Sequence, residues 1–234
     1  MAGLSDGPIP TYDGLADWYD ETYASYSDLD DPLSSSSQLK LLLGPGTGNC
    51  LDIACGSGLH HAAITSTGRA VIGLDLSTDQ LRIARKRMRD VVRGDVRHLP
   101  FPDSAFPAIT CTFLHTDIDH VGPVFHEVRR VLAPGGTFVY LGVHPCFWGH
   151  FIESPGLPDR VVHPGYLDTG WVASRHWRSP MGLRARVGAR HATISELINS
   201  LIATSLTIVR VEELGSGSAP GHADKLAFVA TRPT

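Results

Sequence analysis

The residues best suited to chemistry lie in one short stretch, NCLDIACGSGLHH, which runs from Asn49 to His61. Its apolar first half is typical of a β-strand, Gly56 and Gly58 then interrupt that pattern, and the residues that follow are typical of a helix. A glycine turn lets a ligand approach the main chain closely, and the first N–H groups of the helix can bind oxygen atoms of that ligand. The stretch is therefore predicted to be a ligand site.

Two kinds of ligand use such a turn, and the residues around it discriminate between them. Nicotinamide and flavin sites need a third glycine at the position of His61, so that the helix can pack closely on the strand. The sequence instead has Asp52 inside the strand, four residues before Gly56, where a carboxylate can face a cation. A ligand that carries an ammonium group is therefore favoured over a diphosphate.

Two more acidic residues end the next two predicted strands. Asp75 ends VIGLD, seventeen residues after Gly58, where a carboxylate can accept hydrogen bonds from both hydroxyls of a ribose. Asp95 ends VVRGD, the third predicted strand. A ligand with an ammonium group and a ribose could bind Asp52 and Asp75, respectively, which leaves Asp95 without an assigned contact.

These motifs, in this order and spacing, resemble those of the class I S-adenosylmethionine-dependent methyltransferases of the small-molecule type. LDIACGSG is similar to the first family motif, GLDLS to the segment with the ribose acid, GDVRHLPFPDSAF to the adenine-binding turn, and RRVLAPGGTFVYLG to the segment that leads into strand five. The resemblance runs from about Tyr12 to Val143 and resumes weakly in the last forty residues. Pro107, where the family often has Asp, and the pair His60–His61 depart from the family pattern.

The resemblance implies an α/β fold, a Rossmann-like three-layer sandwich with a seven-stranded, mostly parallel sheet whose last strand is antiparallel. One domain, 1–234, is expected to comprise an N-terminal helical lid at 1–48, a cofactor-binding core at 49–145, a cap inserted after strand five at 146–191, and a C-terminal helix and strand hairpin at 192–234. Within the lid, the pattern predicts a helix over 12–26, a polar and mobile loop over 27–38, and a short helix at 39–43.

The resemblance also implies S-adenosyl-L-methionine as the cofactor, with Tyr12 and Tyr19 of the lid near its carboxylate and Asp95 and Val96 at its adenine. The complete predicted cofactor site consists of Tyr12, Tyr19, Asp52, Ala54, Gly56, Ser57, Gly58, Asp75, Leu76, Gln80, Asp95, Val96, Phe113 and Leu114.

Histidines after strands four and five are the candidates for a general base, because an imidazole has a reference pKa near 6.5. His115 and His144 rank first, since strand ends are better fixed than loops. The cap is rich in aromatic residues and histidines and is predicted to bind the methyl acceptor through Trp148, His150, His163 and Tyr166. The acceptor is expected to be a small, aromatic or largely apolar metabolite that is methylated on O, N or C.

Composition narrows the remaining function classes. The chain has 234 residues, 42% hydrophobic, with a formal net charge of −4, so nucleic acid is not an expected partner. No stretch approaches the roughly 18 apolar residues of a spanning helix, and residues 1–10 lack the pattern of a signal peptide, so a cytoplasmic protein without a membrane partner is expected. The four cysteines form no C-x-x-C pair and are expected to be free thiols, with no metal site. The sequence leaves a homodimer open.

Two rival functions use the same residues differently. His115 and Asp117 have the H-x-D spacing of a metal-dependent oxygenase, and a distal histidine could complete a two-histidine, one-carboxylate triad. The second rival is a protein that binds S-adenosylmethionine without methylating, such as a cyclase or a regulatory module.

Overall fold

The computed structural model describes residues 12–156, 159–174, 183–216 and 221–234. Its helices are α1 (Ala16–Thr22), α2 (Ser35–Leu43), α3 (His61–Thr65), α4 (Thr78–Ala84), α5 (Gly122–Val131), α6 (Arg184–Val187) and α7 (Ile194–Ile202). Its strands are β1 (Asn49–Ile53), β2 (Ala70–Asp75), β3 (Asp90–Arg93), β4 (Phe106–Thr112), β5 (Leu132–Val143), β6 (Ile152–Gly156), β7 (Asp159–Val162), β8 (Gly170–Val172), β9 (Ala189–His191), β10 (Thr207–Leu214) and β11 (Lys225–Thr231).

Seven of these strands form one sheet in the order β10-β11-β5-β4-β1-β2-β3. The pairs that join β3, β2, β1, β4 and β5 are all parallel, whereas β11 is antiparallel to both of its neighbours. In the central strand, Leu51 pairs with Ile72 of β2 and Ile109 of β4. This topology confirms the predicted seven-stranded sheet with an antiparallel last strand.

Helices cover both faces of the sheet. On one face, Phe125 of α5 and Leu197 of α7 pack with Phe138 of β5 in the larger core cluster. On the other face, Leu39 of α2 and Leu81 of α4 belong to a second cluster. The central strands are apolar on both sides because both sides are covered, as in other parallel sheets. The three-layer sandwich is confirmed.

The polar segment before Leu39 is not the loop that its composition predicts. Helix α2 begins at Ser35, where the Ser34 hydroxyl accepts a hydrogen bond from the Ser37 N–H at 3.1 Å, and Ser36 is only 1% exposed. A serine N-cap satisfies one of the N–H groups that the first turn leaves free, which sequence reasoning missed because it treated four consecutive serines as a loop signal. The prediction of a polar loop over 27–38 is therefore wrong from Ser35 onward.

Two other segments differ in detail from the prediction. The helix expected over 12–26 is shorter, with α1 followed by a 3₁₀ turn at Ala24–Ser27. Strand β5 begins at Leu132, within the segment that the resemblance places before strand five; Gly135 inside it has a φ of 73°, and the regular pairing with β4 resumes at Thr137. The cap contains two small two-stranded sheets, β6 with β7 and β8 with β9. Within the described ranges, no helix has the length and apolar character needed to cross a membrane.

Candidate functional site

The glycine turn follows β1 at the carboxyl edge of the sheet. Ala54, Gly56 and Gly58 have φ values of 55°, 53° and 79°, in the left-handed region that favours glycine. A Cβ atom at Gly58 would also lie 3.0 Å from Met88 Cε, so the end of the Met88 side chain would have to shift to admit it. The turn thus keeps its main chain accessible at the point where β1 ends.

Asp75, at the end of β2, is bound to this turn through its carboxylate. One oxygen accepts a hydrogen bond from the Gly56 N–H at 2.8 Å and the other accepts one from the Ser77 N–H at 2.9 Å. Burial raises the pKa of the carboxyl above its usual value. Each carboxylate oxygen can accept more than one hydrogen bond, so Asp75 can still accept from a ribose hydroxyl on either side.

Asp52, in the middle of β1, is completely buried. Its Oδ1 accepts a hydrogen bond from the Thr110 hydroxyl at 2.8 Å, whereas Oδ2 has no hydrogen-bond partner among the described residues. Burial raises the pKa of Asp52 to about 7. Buried polar atoms are nearly always paired, so an unpaired carboxylate oxygen behind a ligand loop indicates a missing donor or cation.

A small pocket, with a volume of about 40 Å³, opens above the turn. Tyr19 of α1 forms one wall, and the ends of β1 and β4 form the others. The lining residues are Tyr19, Ala54, Cys55, Gly56, Ser57, Leu59, His60, Thr112 and Phe113. Five of them, Tyr19, Ala54, Gly56, Ser57 and Phe113, belong to the predicted cofactor site.

Other predicted cofactor residues lie along the same edge. Ser77 caps α4 by accepting from the Gln80 N–H, and Gln80 is buried with its Oε1 unpaired within the described part of the chain. Leu76 follows Asp75 and is 38% exposed. Asp95 follows β3, and an ion pair with Arg97 at 2.6 Å lowers its pKa. Val96 and Leu114 are buried in the larger core cluster rather than lining the pocket.

Comparisons with known proteins show which proteins this chain is similar to. Residues 51–140 match a family model described as a methyltransferase domain. The demethylmenaquinone methyltransferase of Tropheryma whipplei is 31% identical over 162 residues, which cover 66% of this chain and 62% of that protein. The fatty-acid O-methyltransferase of Mycolicibacterium smegmatis is 36% identical over 107 residues, or 42% of this chain and 38% of that one. Residues 51–140 are therefore a methyltransferase domain, and the similarity of the chain to these relatives supports a class I S-adenosylmethionine-dependent methyltransferase.

Solved structures share the fold. An S-adenosylmethionine-dependent methyltransferase from Mesorhizobium loti is 24% identical with a TM-score of 0.68, and the match covers 84% of this chain and 96% of that one. The [4+2]-cyclase SpnF is 17% identical with a TM-score of 0.63, and the match covers the full length of both chains. Because this chain spans only 62% of the length of the Tropheryma whipplei relative, the activity and substrate of the whole protein are proposals.

The predicted methyltransferase lid is tied to the cofactor loop by a charged cluster. The Ser57 hydroxyl donates to Asp20 Oδ1 at 2.7 Å, and Arg87 donates to the same carboxylate at 2.7 and 2.9 Å. A second cluster fixes the start of the lid, where the Tyr12 hydroxyl donates to Asp117 Oδ1 at 2.9 Å. Tyr12 and Tyr19 then pack edge to face, with ring centroids 5.7 Å apart.

Arg184 completes the second cluster and was missed by sequence reasoning. Its guanidinium donates to Asp117 Oδ1 at 2.5 Å and to the Thr116 hydroxyl at 2.5 Å. The two side chains of the ion pair are 10% and 20% exposed, so the pair is largely shielded from solvent. No local signal marks Arg184, because its partners lie 67 residues away in the chain.

The two predicted bases do not line the described pocket. His115 is 2% exposed, its Nδ1 is hydrogen-bonded to the Tyr140 hydroxyl, and burial lowers its pKa to about 3. His144 accepts at Nδ1 from the Cys146 N–H at 3.2 Å, so Nε2 carries its proton, 2.8 Å from Glu213 Oε1. Both geometries favour a structural role, and catalysis by either histidine stays a prediction.

The predicted acceptor-binding residues are divided within the cap. Tyr166 and His150 belong to an aromatic cluster in which Phe151 and His191 pack edge to face, with centroids 5.0 Å apart. The Tyr166 hydroxyl accepts from the Ile194 N–H at 2.9 Å. His163 pairs instead with Glu153 at 2.8 Å, and Trp148 is 39% exposed. That these four residues contact an acceptor stays a prediction. Trp177, another tryptophan of the cap, lies outside the described residues.

The H-x-D pattern of the rival oxygenase is engaged in protein contacts. His115 bonds Tyr140 and Asp117 is paired with Arg184. In the described part of the chain, no three His, Cys, Asp or Glu residues lie close enough together to hold a metal ion.

Proposed function

We propose that the protein transfers a methyl group from S-adenosyl-L-methionine to an O, N or C atom of a small, largely apolar or aromatic metabolite. The observation that carries the proposal is the pair of carboxylates around the glycine turn. Asp75 retains acceptor capacity beside the Gly56 N–H, and Asp52 holds an unpaired buried oxygen in the strand that leads into the same turn. These groups match a ligand with a diol at one end and an ammonium at the other.

The chain's residues then have distinct tasks toward this ligand. Asp75 would accept from the ribose hydroxyls, Asp52 would face the ammonium, and Asp95 would lie at the adenine. Tyr19 and Phe113 would exclude water from the pocket that they line. The bound sulfonium supplies a methyl group that is already activated, so the protein's main contribution is alignment of the acceptor.

The cap supports a small planar acceptor. Strand β9, at the end of the cap, packs on the 3₁₀ turn Leu114–Thr116, directly after the pocket residue Phe113. Phe151 packs against His191 of β9, and Tyr166 packs against Phe151. These two rings offer apolar surface next to β9. Trp148, His150, His163 and Tyr166 remain the residues proposed to contact the acceptor.

The cellular setting is also part of the proposal. Cys50, Cys55, Cys111 and Cys146 are all free, as expected in a reducing compartment, which favours the cytoplasm. A role in secondary metabolism and assembly into a homodimer complete the proposal.

Two measurements test this function. Calorimetry with S-adenosylmethionine and S-adenosylhomocysteine measures cofactor binding. The protein is then incubated with methyl-labelled cofactor and naphthoquinols, phenols, aromatic amines or fatty acids, and mass spectrometry follows the label. Labelled product together with S-adenosylhomocysteine supports the proposal. Conversion of an acceptor without transfer of the label would instead identify a non-methylating enzyme, as in the cyclase neighbour.

A further inference from the structure

His60 is the histidine that the fold places at the pocket. It follows the glycine turn and precedes α3, and it lines the pocket with Ala54 and Phe113. The residue is 6% exposed, and its ring centroid lies 6.3 Å from that of Phe113. Neither His115 nor His144 shares this position.

A buried serine from a distant helix fixes the imidazole. Ser36 Oγ lies 2.8 Å from His60 Nδ1, and Ser36 is 1% exposed. The first turn of α2 that carries Ser36 is itself held by the Ser34 N-cap. Because Nδ1 is engaged by Ser36, Nε2 is the ring nitrogen left to a ligand in the pocket that His60 lines.

The surroundings keep this imidazole neutral. Lys225, at the start of β11, donates from Nζ to the Leu33 carbonyl oxygen at 3.0 Å, three residues before Ser36 in the chain. The ammonium and the imidazole are therefore both held by the segment that enters α2. Burial, and secondly the charge of Lys225, lower the pKa of His60 to about 4. At neutral pH the ring thus has a free lone pair on one nitrogen.

We propose that His60 is the catalytic residue that takes the proton from the hydroxyl or amino group of the methyl acceptor, with Ser36 as its positioning residue. This inference rests on the proposed methyl transfer. The Nδ1–H donates to Ser36 Oγ, which leaves the Nε2 lone pair for the acceptor. An acceptor lone pair forms the new bond to the methyl carbon while the carbon–sulfur bond breaks and its electrons remain on sulfur. The acceptor proton moves to Nε2, and the imidazolium later releases it to water.

A weak base suffices for this role. The proton of a hydroxyl becomes strongly acidic once its oxygen bonds the methyl carbon, so even an imidazole of lowered pKa accepts it. A neutral ring also does not repel the positive sulfonium, whereas a protonated histidine would.

The protonation of the ring can be tested without any acceptor. Nitrogen-15 NMR of the imidazoles, with S-adenosylhomocysteine present and His60→Gln for assignment, reports which nitrogen carries the proton. The expected result at pH 7 is a protonated Nδ1 and an unprotonated Nε2 for His60. A proton on Nε2 would overturn the proposal, because that nitrogen could then only donate.

Kinetics test the role in transfer, with the labelled product of the acceptor screen as the readout. His60→Gln is expected to lower the turnover number by about 100-fold or more, the range for a lost general base. Ser36→Ala is expected to lower it less while leaving the protein folded. His61→Gln is the matched control, since His61 is the adjacent histidine and does not line the pocket.

The outcomes separate this inference from the proposed function. A wild-type protein that binds no cofactor in calorimetry would contradict the function. A wild type that methylates while His60→Gln turns over at an unchanged rate would overturn only the role of His60. An equal loss of S-adenosylhomocysteine affinity and turnover in His60→Gln would also overturn it, because the residue would then serve cofactor binding.

Discussion

The cofactor side and the acceptor side of the candidate site are built differently. On the cofactor side, Asp52 and Asp75 come from two neighbouring strands and Gly56 from the turn after the first strand. The Gly56 N–H donates directly to Asp75, and Asp52 pairs with Gly73 in the strand that ends at Asp75. On the acceptor side and in the lid, the contacts join distant parts of the chain, such as Ser36 with His60 and Asp117 with Arg184. The first side can be read from local motifs, whereas the second exists only after the fold brings these segments together.

The largest expected effect lies in the cluster that fixes the lid. Arg184→Met should lower the free energy of unfolding by about 3–5 kcal/mol, because it leaves the largely buried Asp117 carboxylate without its cation. Urea unfolding measures this change. The matched control is Arg186→Met on the same helix, an exposed residue whose guanidinium lies 4.2 Å above the Trp18 ring, with an expected cost of about 0.5–1 kcal/mol. Equal effects of the two changes would show that the free energy of unfolding does not depend on the buried Arg184–Asp117 pair.

The next effect separates stability from binding on the cofactor side. The folded-state pKa of Asp52, about 7, lies above its ordinary value, so the folded protein binds more protons between roughly pH 4 and 7. This group therefore makes stability fall as pH rises through that window. Asp52→Asn should raise the unfolding free energy at pH 8 by up to about 4 kcal/mol, at about 1.4 kcal/mol per unit, and flatten its pH dependence.

The same Asp52→Asn change should weaken binding of S-adenosylmethionine, since it removes the charge that faces the ammonium. Calorimetry and urea unfolding at pH 5 and pH 8 measure both effects. Asp90→Asn, an exposed carboxyl on β3, is the control. A variant that is neither more stable at pH 8 nor weaker in binding would refute the assignment of Asp52.

Asp75→Ala should weaken cofactor binding by about 1.5–3 kcal/mol, the range for hydrogen bonds to a charged group. The loss has two sources, the contacts to ribose and the support that the carboxylate gives to the Gly56 and Ser77 N–H groups. Calorimetry of Asp75→Ala and Asp75→Asn separates them, because Asn keeps one acceptor oxygen. An unchanged dissociation constant in both variants would remove Asp75 from the cofactor site.

The smallest effect is expected at Asp95. Its carboxylate is already paired with Arg97, so Asp95→Ala should weaken cofactor binding by only about 0.5–1.5 kcal/mol. The turnover number at saturating cofactor should stay unchanged, since the contact is made equally before and during transfer. Steady-state kinetics with varied cofactor check both. A fall in turnover at saturation would place Asp95 closer to the reacting atoms than its motif predicts.

The predicted elements agree best with the structure where the signal is local. The strands around Leu51 and Ile109 are short runs of mostly apolar residues, and such runs are typical of buried parallel strands. The buried serines at the start of α2 were not recognised, because a polar run has the same composition in a loop and in a buried helix cap.

The sequence by itself determined the alternation of strands and helices in the core and the carboxylates around the glycine turn, which follow from hydrophobic periodicity and from positions at predicted strand ends. The seven-stranded sheet was implied by the family resemblance. Only the tertiary structure decided which histidine reaches the pocket and which charge pairs with Asp117. His60 and Ser36 are 24 residues apart, and Arg184 and Asp117 are 67 apart. Contacts at such separations depend on how helices pack on the sheet, and packing leaves no periodic trace in the amino-acid sequence.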